Sequence, residues 1–212
     1  MLVVRAMRAT EPIVIDGTLS EATWKNDDGF SSFTMREPVE GGIPSQRTIV
    51  HIAYDDAALY VGARCFDAAA DSMVVRLSRR DGQWNSDMFM CYVDPYHDRR
   101  SGFYFGLDAA GTFYDGILLD DEGNDNSWDG VWEGKVQRDT QGWTAEMRIP
   151  FSQLRFQQKD QYVWGVNFRR DIARHNERDY IVFTPKNGSG FVSRFVDLVG
   201  INNISAARQA EI

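Results

Sequence analysis

The sequence predicts an all-β protein, an antiparallel β-sandwich of jelly-roll-like form with very little helix. Short segments in which apolar and polar residues alternate recur along the chain, with turn residues between them. Aromatic residues make up 13% of the chain and glycines number 18, a composition that suits pleated sheets and tight turns. Segments with the helical period are scarce, which favours a sandwich or a barrel over an α/β fold.

The elements are predicted in order along the chain. Thr18 and Glu21 have the spacing of a capping box, which predicts one short helix that runs through Trp24. Residues 150–154 could form a single helical turn. Period-two alternation predicts the strands Thr48–Tyr54, Leu59–Asp67, Asp87–Asp94, Gly102–Asp108, Thr112–Leu119, Val131–Arg138, Trp143–Ile149, Tyr162–Arg170, Arg178–Phe183 and Arg194–Val199.

Length and composition favour one domain over residues 1–212, with a core at about 10–200, because no Pro/Gly/Ser-rich linker divides the chain. The net charge of -8 argues against nucleic-acid binding, since phosphates would be repelled. No apolar segment approaches the roughly 18 residues of a membrane span, so the chain is not expected to span a membrane itself. The first residues also lack the pattern of a signal peptide.

The two cysteines, Cys65 and Cys91, each share a predicted strand face with apolar residues. Two buried free thiols are therefore expected, and a disulfide between them is the alternative.

No sequence motif of a common enzyme class is present. His51, His97 and His175 are too far apart in the sequence to suggest a metal site. Glu146 is a candidate general acid by residue type, but alternation with Ala145 and Met147 predicts that it faces solvent beside Arg148. No catalytic residue is predicted.

One acidic turn is a candidate calcium site. Residues 120–126 crowd oxygen ligands into a loop with glycine and asparagine, as a hard cation requires, although the spacing is not that of an EF-hand. The candidate ligands are Asp120, Asp121, Glu122 and Asp125. A solvated turn is the alternative, and no organic cofactor is expected.

The tryptophans divide into two groups. Trp24, Trp143 and Trp164 are in phase with core positions, whereas Trp84 and Trp128 lie in polar loops, where a ring is free to stack on a sugar. Trp132 is a weaker member of the second group. Polar residues that could bond sugar hydroxyls are Arg80, Asp81 and Asp87 near Trp84, and Arg169 in a cluster of arginines. Local salt bridges are the alternative role for these charges.

Taken in order, several motifs resemble those of family 9 carbohydrate-binding modules. They are IDG at 15–17 with Glu21 and Trp24, YDD at 54–56 with LYV at 59–61, Trp84 and Asp87 with VDP at 93–95, GW at 142–143 with Glu146 and IPF at 149–151, and WGVNF at 164–168. Together they cover nearly the whole chain.

The resemblance implies a β-sandwich that binds a saccharide or glycan between two aromatic rings and carries structural calcium. Trp84 falls at one ring position, and the other lies near Tyr180 or Phe183. The chain departs from the pattern at Met90 and Gly106, where the family has an acidic residue and an arginine.

LRF at 154–156 and FRR at 168–170 resemble a subgroup of this family that forms the N-terminal part of larger bacterial proteins. There the module precedes a β-rich region for which an outer-membrane barrel is one interpretation. The resemblance thus implies a chain cut from a longer exported protein, periplasmic, outer-membrane-associated or extracellular, with the C-terminal domain of the same parent as a partner.

Three alternatives remain open. The domain could dock on its own C-terminal region without binding sugar. It could hold haem, since Met88, Met90, His97 and His175 supply the residue types. It could also have hydrolytic activity, because modules of this family are often attached to hydrolases.

Overall fold

The computed structural model describes residues 2–82 and 85–204. Within them the chain forms two β-sheets that pack face to face, and helix is limited to short segments. The predicted all-β sandwich is confirmed.

The larger sheet contains nine of the described strands: β1 (Val3–Arg5), β3 (Thr34–Glu37), β6 (Met88–Asp94), β7 (Gly102–Asp108), β8 (Phe113–Leu119), β9 (Gly123–Asp125), β12 (Trp164–Ile172), β13 (Glu177–Tyr180) and β14 (Val196–Val199). The smaller sheet contains β2 (Met7–Arg8), β4 (Thr48–Tyr54), β5 (Ala58–Phe66), β10 (Glu133–Asp139) and β11 (Gly142–Pro150). The helix α1 spans Ala22–Lys25, and 3-10 turns lie at Ala70–Ser72, Phe151–Gln153, Ala173–His175 and Val192–Arg194.

The larger sheet has the order β1-β14-β12-β6-β7-β8-β9, and β12 is its branch point. Residues 164–166 of β12 pair with β14, whereas residues 169–172 pair with β13, which in turn pairs with β3. The smaller sheet has the order β10-β11-β5-β4-β2. Pairing is antiparallel except at two outer positions, β1 with β14 and β2 with β4.

The core lies between the inner faces of the two sheets. Its largest fully buried side chains include Trp143 of the smaller sheet and Trp164, Phe89 and Phe168 of the larger one. The alternation seen in the sequence therefore marks real core positions, and the predictions for Trp143 and Trp164 are confirmed.

All ten predicted strands are present, with ends that shift by up to three residues. The core extends beyond the predicted range of 10–200, because Val4 and Ala6 at one end and Ile201 and Ile204 at the other are buried in it. The strands β1, β2, β3 and β9 were not predicted.

The predicted capping box is wrong in its geometry. The helix is shorter than predicted, and its N-cap is Glu21, which makes no side-chain capping bond. Thr18 instead donates its hydroxyl to Asp16, and a Glu21 carboxylate oxygen accepts the backbone N–H of Val14. These side chains stabilise the turn before the helix.

The prediction that Glu146 faces solvent is also wrong. Glu146 is fully buried, because the segment from Ile13 to Trp24 covers the outer face of the smaller sheet. Its carboxylate accepts the backbone N–H groups of Asp16 and Gly17, both at 3.0 Å, and the indole N–H of Trp24 at 3.1 Å. Arg148 pairs with Glu133 instead.

Among the described residues, no helix combines the length and the apolar character needed to cross a lipid bilayer.

Candidate functional site

Two polar clefts meet at Arg178, on strand β13 of the larger sheet. The first has a volume of about 490 Å³ and is bordered by Arg76, Asn85, Ser86 and Arg178, among others. The second has a volume of about 350 Å³ and is bordered by Tyr180 on the far side of Arg178. Together they form one continuous polar surface beside the branch point of β12.

Three distant parts of the chain build this surface. Strand β13 places Arg178 directly opposite Glu37 of β3, and Asp171 of β12 stands opposite Arg178 on its other side. The loop before β6 adds Arg76, Asn85 and Ser86. Because these segments are far apart in the sequence, the clefts exist only in the folded sandwich.

Most acidic groups of the first cleft already have hydrogen-bond donors. Asp171 accepts the Nε–H of Arg169 at 2.7 Å, and Glu37 accepts from Arg36 at 2.6 Å. Glu177 is buried and accepts the backbone N–H of Ser45 at 2.7 Å.

The arginines of the same cleft make fewer hydrogen bonds and ion pairs than its acidic groups. The Nε atom of Arg178 lies 3.5 Å from an Asp171 oxygen, too far for a good hydrogen bond, and this nitrogen is buried without a partner among the described residues. The guanidinium of Arg76 is exposed and makes no ion pair within that part of the chain.

A buried carboxyl lies next to this cleft. Asp179 is 1% exposed, and neither of its oxygens has a hydrogen-bond partner among the residues described. Burial, together with the neighbouring Glu177 carboxylate, raises the pKa of Asp179 to about 8. At neutral pH this carboxyl is therefore mostly uncharged.

Two predicted ligand residues, Arg169 and Tyr180, come together on the outer face of the larger sheet. Arg169 is buried between the carboxylate of Asp171 and the hydroxyl of Tyr92, which it contacts at 3.4 Å. Tyr180 is 8% exposed and stands edge-on to Phe191, with ring centroids 6.3 Å apart. Both residues border a cluster of rings that also includes Tyr92.

The outer face next to this ring cluster is apolar. Met90 and Gly106 are direct cross-strand partners, and a Cβ atom on residue 106 would stand only 2.1 Å from the Met90 sulfur. The Met90 side chain therefore occupies the space over Gly106. The two departures from the family pattern form one packed unit, and Phe191 and Phe195 cover this part of the sheet.

Arg80 and Asp81 belong to a separate constellation. Arg80 donates to both oxygens of the buried Asp115, at 2.8 and 2.6 Å, and Asp81 accepts the backbone N–H of Asp115 at 2.9 Å. Carboxylate oxygens of Asp81, Asp115 and Asp129 lie within 4.8 Å of one another. Arg80 neutralises part of this negative charge, so its guanidinium is already occupied.

Asp87 is fully buried, and its Oδ1 atom accepts the backbone N–H of Ala173 at 3.1 Å. Burial raises the pKa of this carboxyl. Asp87, directly before β6, is thus hydrogen-bonded to the residue that follows β12. Trp84, the principal predicted stacking residue, lies outside the described residues, one position before Asn85 of the first cleft.

Trp128 lies close to the constellation of Arg80, because Arg80 pairs with Asp129 at 3.2 Å and donates to the backbone carbonyl of Gly130 at 2.8 Å. Its ring packs on Phe103 and Phe105, with centroid distances of 5.4 and 6.1 Å, and borders a separate groove of about 780 Å³. Trp132 is buried in the core. The solvent-exposed stacking role proposed for Trp132 is therefore wrong.

The four predicted calcium ligands do not converge. The side chain of Asp120 pairs with Arg100, and that of Asp125 accepts the backbone N–H of Ser127. Asp121 and Glu122 accept N–H groups of residues 190–193. Among the described residues, no three of these carboxylates form a group that could hold one ion. Calcium therefore remains a prediction here.

The residues considered for haem have separate surroundings. Met88 and Met90 are buried in the apolar outer-face cluster. His97 contacts Asp197 at 3.0 Å, and His175 contacts the Ser45 hydroxyl at 3.1 Å.

Sequence reasoning missed Arg76 and Arg178. Both lie among many other charged residues, and no local spacing distinguishes them. Their relation depends on the register of β13 with β3 and β12, which no sequence motif encodes.

Comparison with known proteins gives the chain a family. No curated protein matches the sequence significantly. A family 9 carbohydrate-binding module from Caldicellulosiruptor kristjanssonii, solved with cellotriose, has a similar fold: the TM-score is 0.65, the identity is 17%, and the match covers 100% of this chain and 98% of the other. The structure of a module from the same organism and family with glucose gives a TM-score of 0.64 at 15% identity, over 98% and 100% of the two chains.

The family model described as "Carbohydrate family 9 binding domain-like" matches residues 15–184, well over half of the 212 residues. With the sandwich fold and the ordered motifs, this match shows that the chain belongs to the carbohydrate family 9 binding domain-like family.

Proposed function

We propose that this domain is a non-catalytic carbohydrate-binding module that recognises a saccharide or glycan on behalf of a larger exported protein. The observation that carries the proposal is the family match over residues 15–184, together with a polar surface next to aromatic side chains on the same sheet. The similar structures that contain cellotriose and glucose support a sugar as the ligand class.

The proposed site is the pair of clefts on either side of Arg178. Tyr180 borders one cleft, and Asn85, the sequence neighbour of Trp84, borders the other. Aromatic rings would contact the apolar faces of a sugar, and the polar residues of the clefts would bond its hydroxyl groups. In this proposal Arg169 positions Tyr92 and Asp171 and does not contact the ligand directly.

The test is calorimetric titration of the chain with mono-, di- and oligosaccharides, first in calcium and then in chelator. We expect saturable binding to one class of saccharide in the wild type. Trp84→Ala should weaken that binding at least tenfold, because it removes the aromatic ring that is proposed to stack on the sugar.

The matched control is Val163→Ala, which trims an exposed apolar side chain outside both clefts. It should bind like the wild type. Full affinity in a folded Trp84→Ala variant would contradict the stacking role. A loss of binding in chelator would support the predicted calcium requirement.

A second function is favoured by one observation. The groove beside Trp128 is the largest of the three described and is bordered by the exposed residues Tyr96 and Leu119. Such a surface suits docking on a protein partner, for example the C-terminal region of the parent chain. No binding across a broad saccharide panel, with the domain folded, would favour this docking function over sugar recognition.

A further inference from the structure

The first cleft has unused hydrogen-bond donors. The Nε–H of Arg178 is buried, yet it has no partner within hydrogen-bond distance in the part of the chain that is described. Such a donor costs free energy unless a ligand or water completes it. Arg76 borders the same cleft and has no ion pair among those residues.

The acceptors of this cleft are occupied. Arg169 donates through two nitrogens to Asp171, and Arg36 donates to Glu37. Glu177 accepts a backbone N–H and is almost inaccessible to solvent. A ligand that enters the cleft therefore meets free donors and few free acceptors.

Local charge points in the same direction. Glu37 pairs with Arg36, and Asp171 pairs more closely with Arg169 than with Arg178, whose Nε atom lies 3.5 Å from an Asp171 oxygen. The buried Asp179, which is mostly protonated at neutral pH, adds little negative charge. The cleft thus offers two positive groups although the whole chain has a net charge of -8.

A guanidinium matches a carboxylate in shape and charge, because its planar N–H groups can donate to both oxygens. A neutral hydroxyl uses this donor set less fully. Resting on the proposed saccharide function, we propose that Arg178, with Arg76 on the same cleft, binds the carboxylate of an acidic saccharide, that is, a glycan containing uronic acid.

The experiment compares ligands that differ only in this charge. The chain is titrated with trigalacturonic acid and with its methyl ester, and then with an oligosaccharide of glucuronic acid and its methyl ester. For at least one pair we expect the free acid to bind about tenfold or more tightly than the ester at low salt. The preference should shrink as sodium chloride is added.

Arg178→Gln should abolish the preference for the acid, whereas Arg178→Lys, which keeps the charge but not the planar fork, should retain part of it. Arg138→Gln removes an exposed arginine of the smaller sheet and serves as the control, which should keep the full preference. Thermal unfolding of each variant checks that it is folded.

Equal affinity for acid and ester, or an unchanged preference in Arg178→Gln, would overturn the inference and leave the saccharide function standing. Binding of neutral sugars alone would have the same meaning. Absence of binding to every saccharide, acidic and neutral, would reject both proposals together.

Discussion

Glu146 carries a role that its local sequence does not reveal. Strand alternation predicts that Glu146 lies on the face of β11 that points away from Ala145 and Met147. Both faces of β11 are nevertheless buried, one in the core and the other under the N-terminal segment. Its carboxylate fixes that segment through two backbone N–H groups and the Trp24 indole. The residue predicted to be a solvated charge is therefore buried and holds the N-terminal segment against the smaller sheet.

Glu146 should make the stability of the domain depend on pH. Burial raises the pKa of this carboxyl from 4.5 to about 7, so the folded state binds its proton more tightly than the unfolded state does. The stabilisation by the proton is complete below about pH 4.5 and is lost as the pH rises toward 7.

Relative to Glu146→Gln, the wild type should lose roughly 3 kcal/mol of unfolding free energy over this interval. Urea unfolding of both proteins at a series of pH values measures the difference. Parallel stability curves for the two proteins would show that Glu146 does not titrate in this range.

At the scale of elements, the acidic turn after β8 forms hydrogen bonds with residues 190–193, in the loop that covers the outer face of the larger sheet. Asp121 accepts the N–H groups of Phe191 and Ser193 at 2.9 and 2.8 Å, and the Ser193 hydroxyl at 2.8 Å. Phe191 in turn contacts the rings of Tyr92 and Tyr180. The turn predicted to bind calcium therefore orders the loop next to the proposed site through its own hydrogen bonds.

Asp121→Asn should loosen this loop, because an amide group cannot accept all three hydrogen bonds. Asparagine tolerates the positive φ of 72° at this position, so backbone strain is not the cause. We expect a loss of about 1–2 kcal/mol in stability and faster amide hydrogen exchange at residues 190–193. Asp120→Asn, at a φ of 50° with an exposed side chain, is the control and should exchange like the wild type.

The elements that sequence predicted are those with enough alternating positions to show a period. The strands β1 and β2 are only three and two residues long, and each joins its sheet by parallel pairing with a distant strand. The strands β3 and β9 are largely polar, so their sequences resemble loops. Their pairing partners, rather than their own residues, make them strands.

At the scale of the whole molecule, the core places both cysteines among apolar side chains of the two sheets, and neither forms a disulfide. The prediction of two buried free thiols is confirmed. Burial raises the pKa of both thiols, so little reactive thiolate is present near neutral pH.

The folded protein should therefore react with a thiol reagent such as DTNB very slowly, and the denatured protein should release two equivalents per chain without prior reduction. Reductant should leave the melting temperature unchanged. Rapid labelling of the native state would mean that the core opens far more readily than its packing indicates.

The candidate site was only partly predictable from sequence. Arg169 and Tyr180 do lie near one another, because WGVNF fixes one strand and the late strand pairs with it. Arg80 pairs with the buried Asp115, Asp87 accepts a backbone N–H from the end of β12, and the Trp128 ring packs on Phe103. Turns and buried ion pairs direct these side chains, and the spacing along the chain does not predict such contacts. The first cleft depends on contacts that residues 171–178 make with segments at least 85 residues earlier in the sequence.

The branch of β12 separates the parts of this protein that must stay constant from the parts that can vary. One half of β12 pairs with β14, and the other half carries β13 and β3, which form a ribbon at the periphery of the sheet. Substitutions at its partly exposed positions Thr34, Arg36, Glu37 and Arg178 should cost less folding stability than substitutions at its buried positions Met35, Glu177, Asp179 and Tyr180. A library confined to Thr34, Arg36, Glu37 and Arg178, on an otherwise unaltered chain, would therefore test whether the proposed site can change its ligand preference.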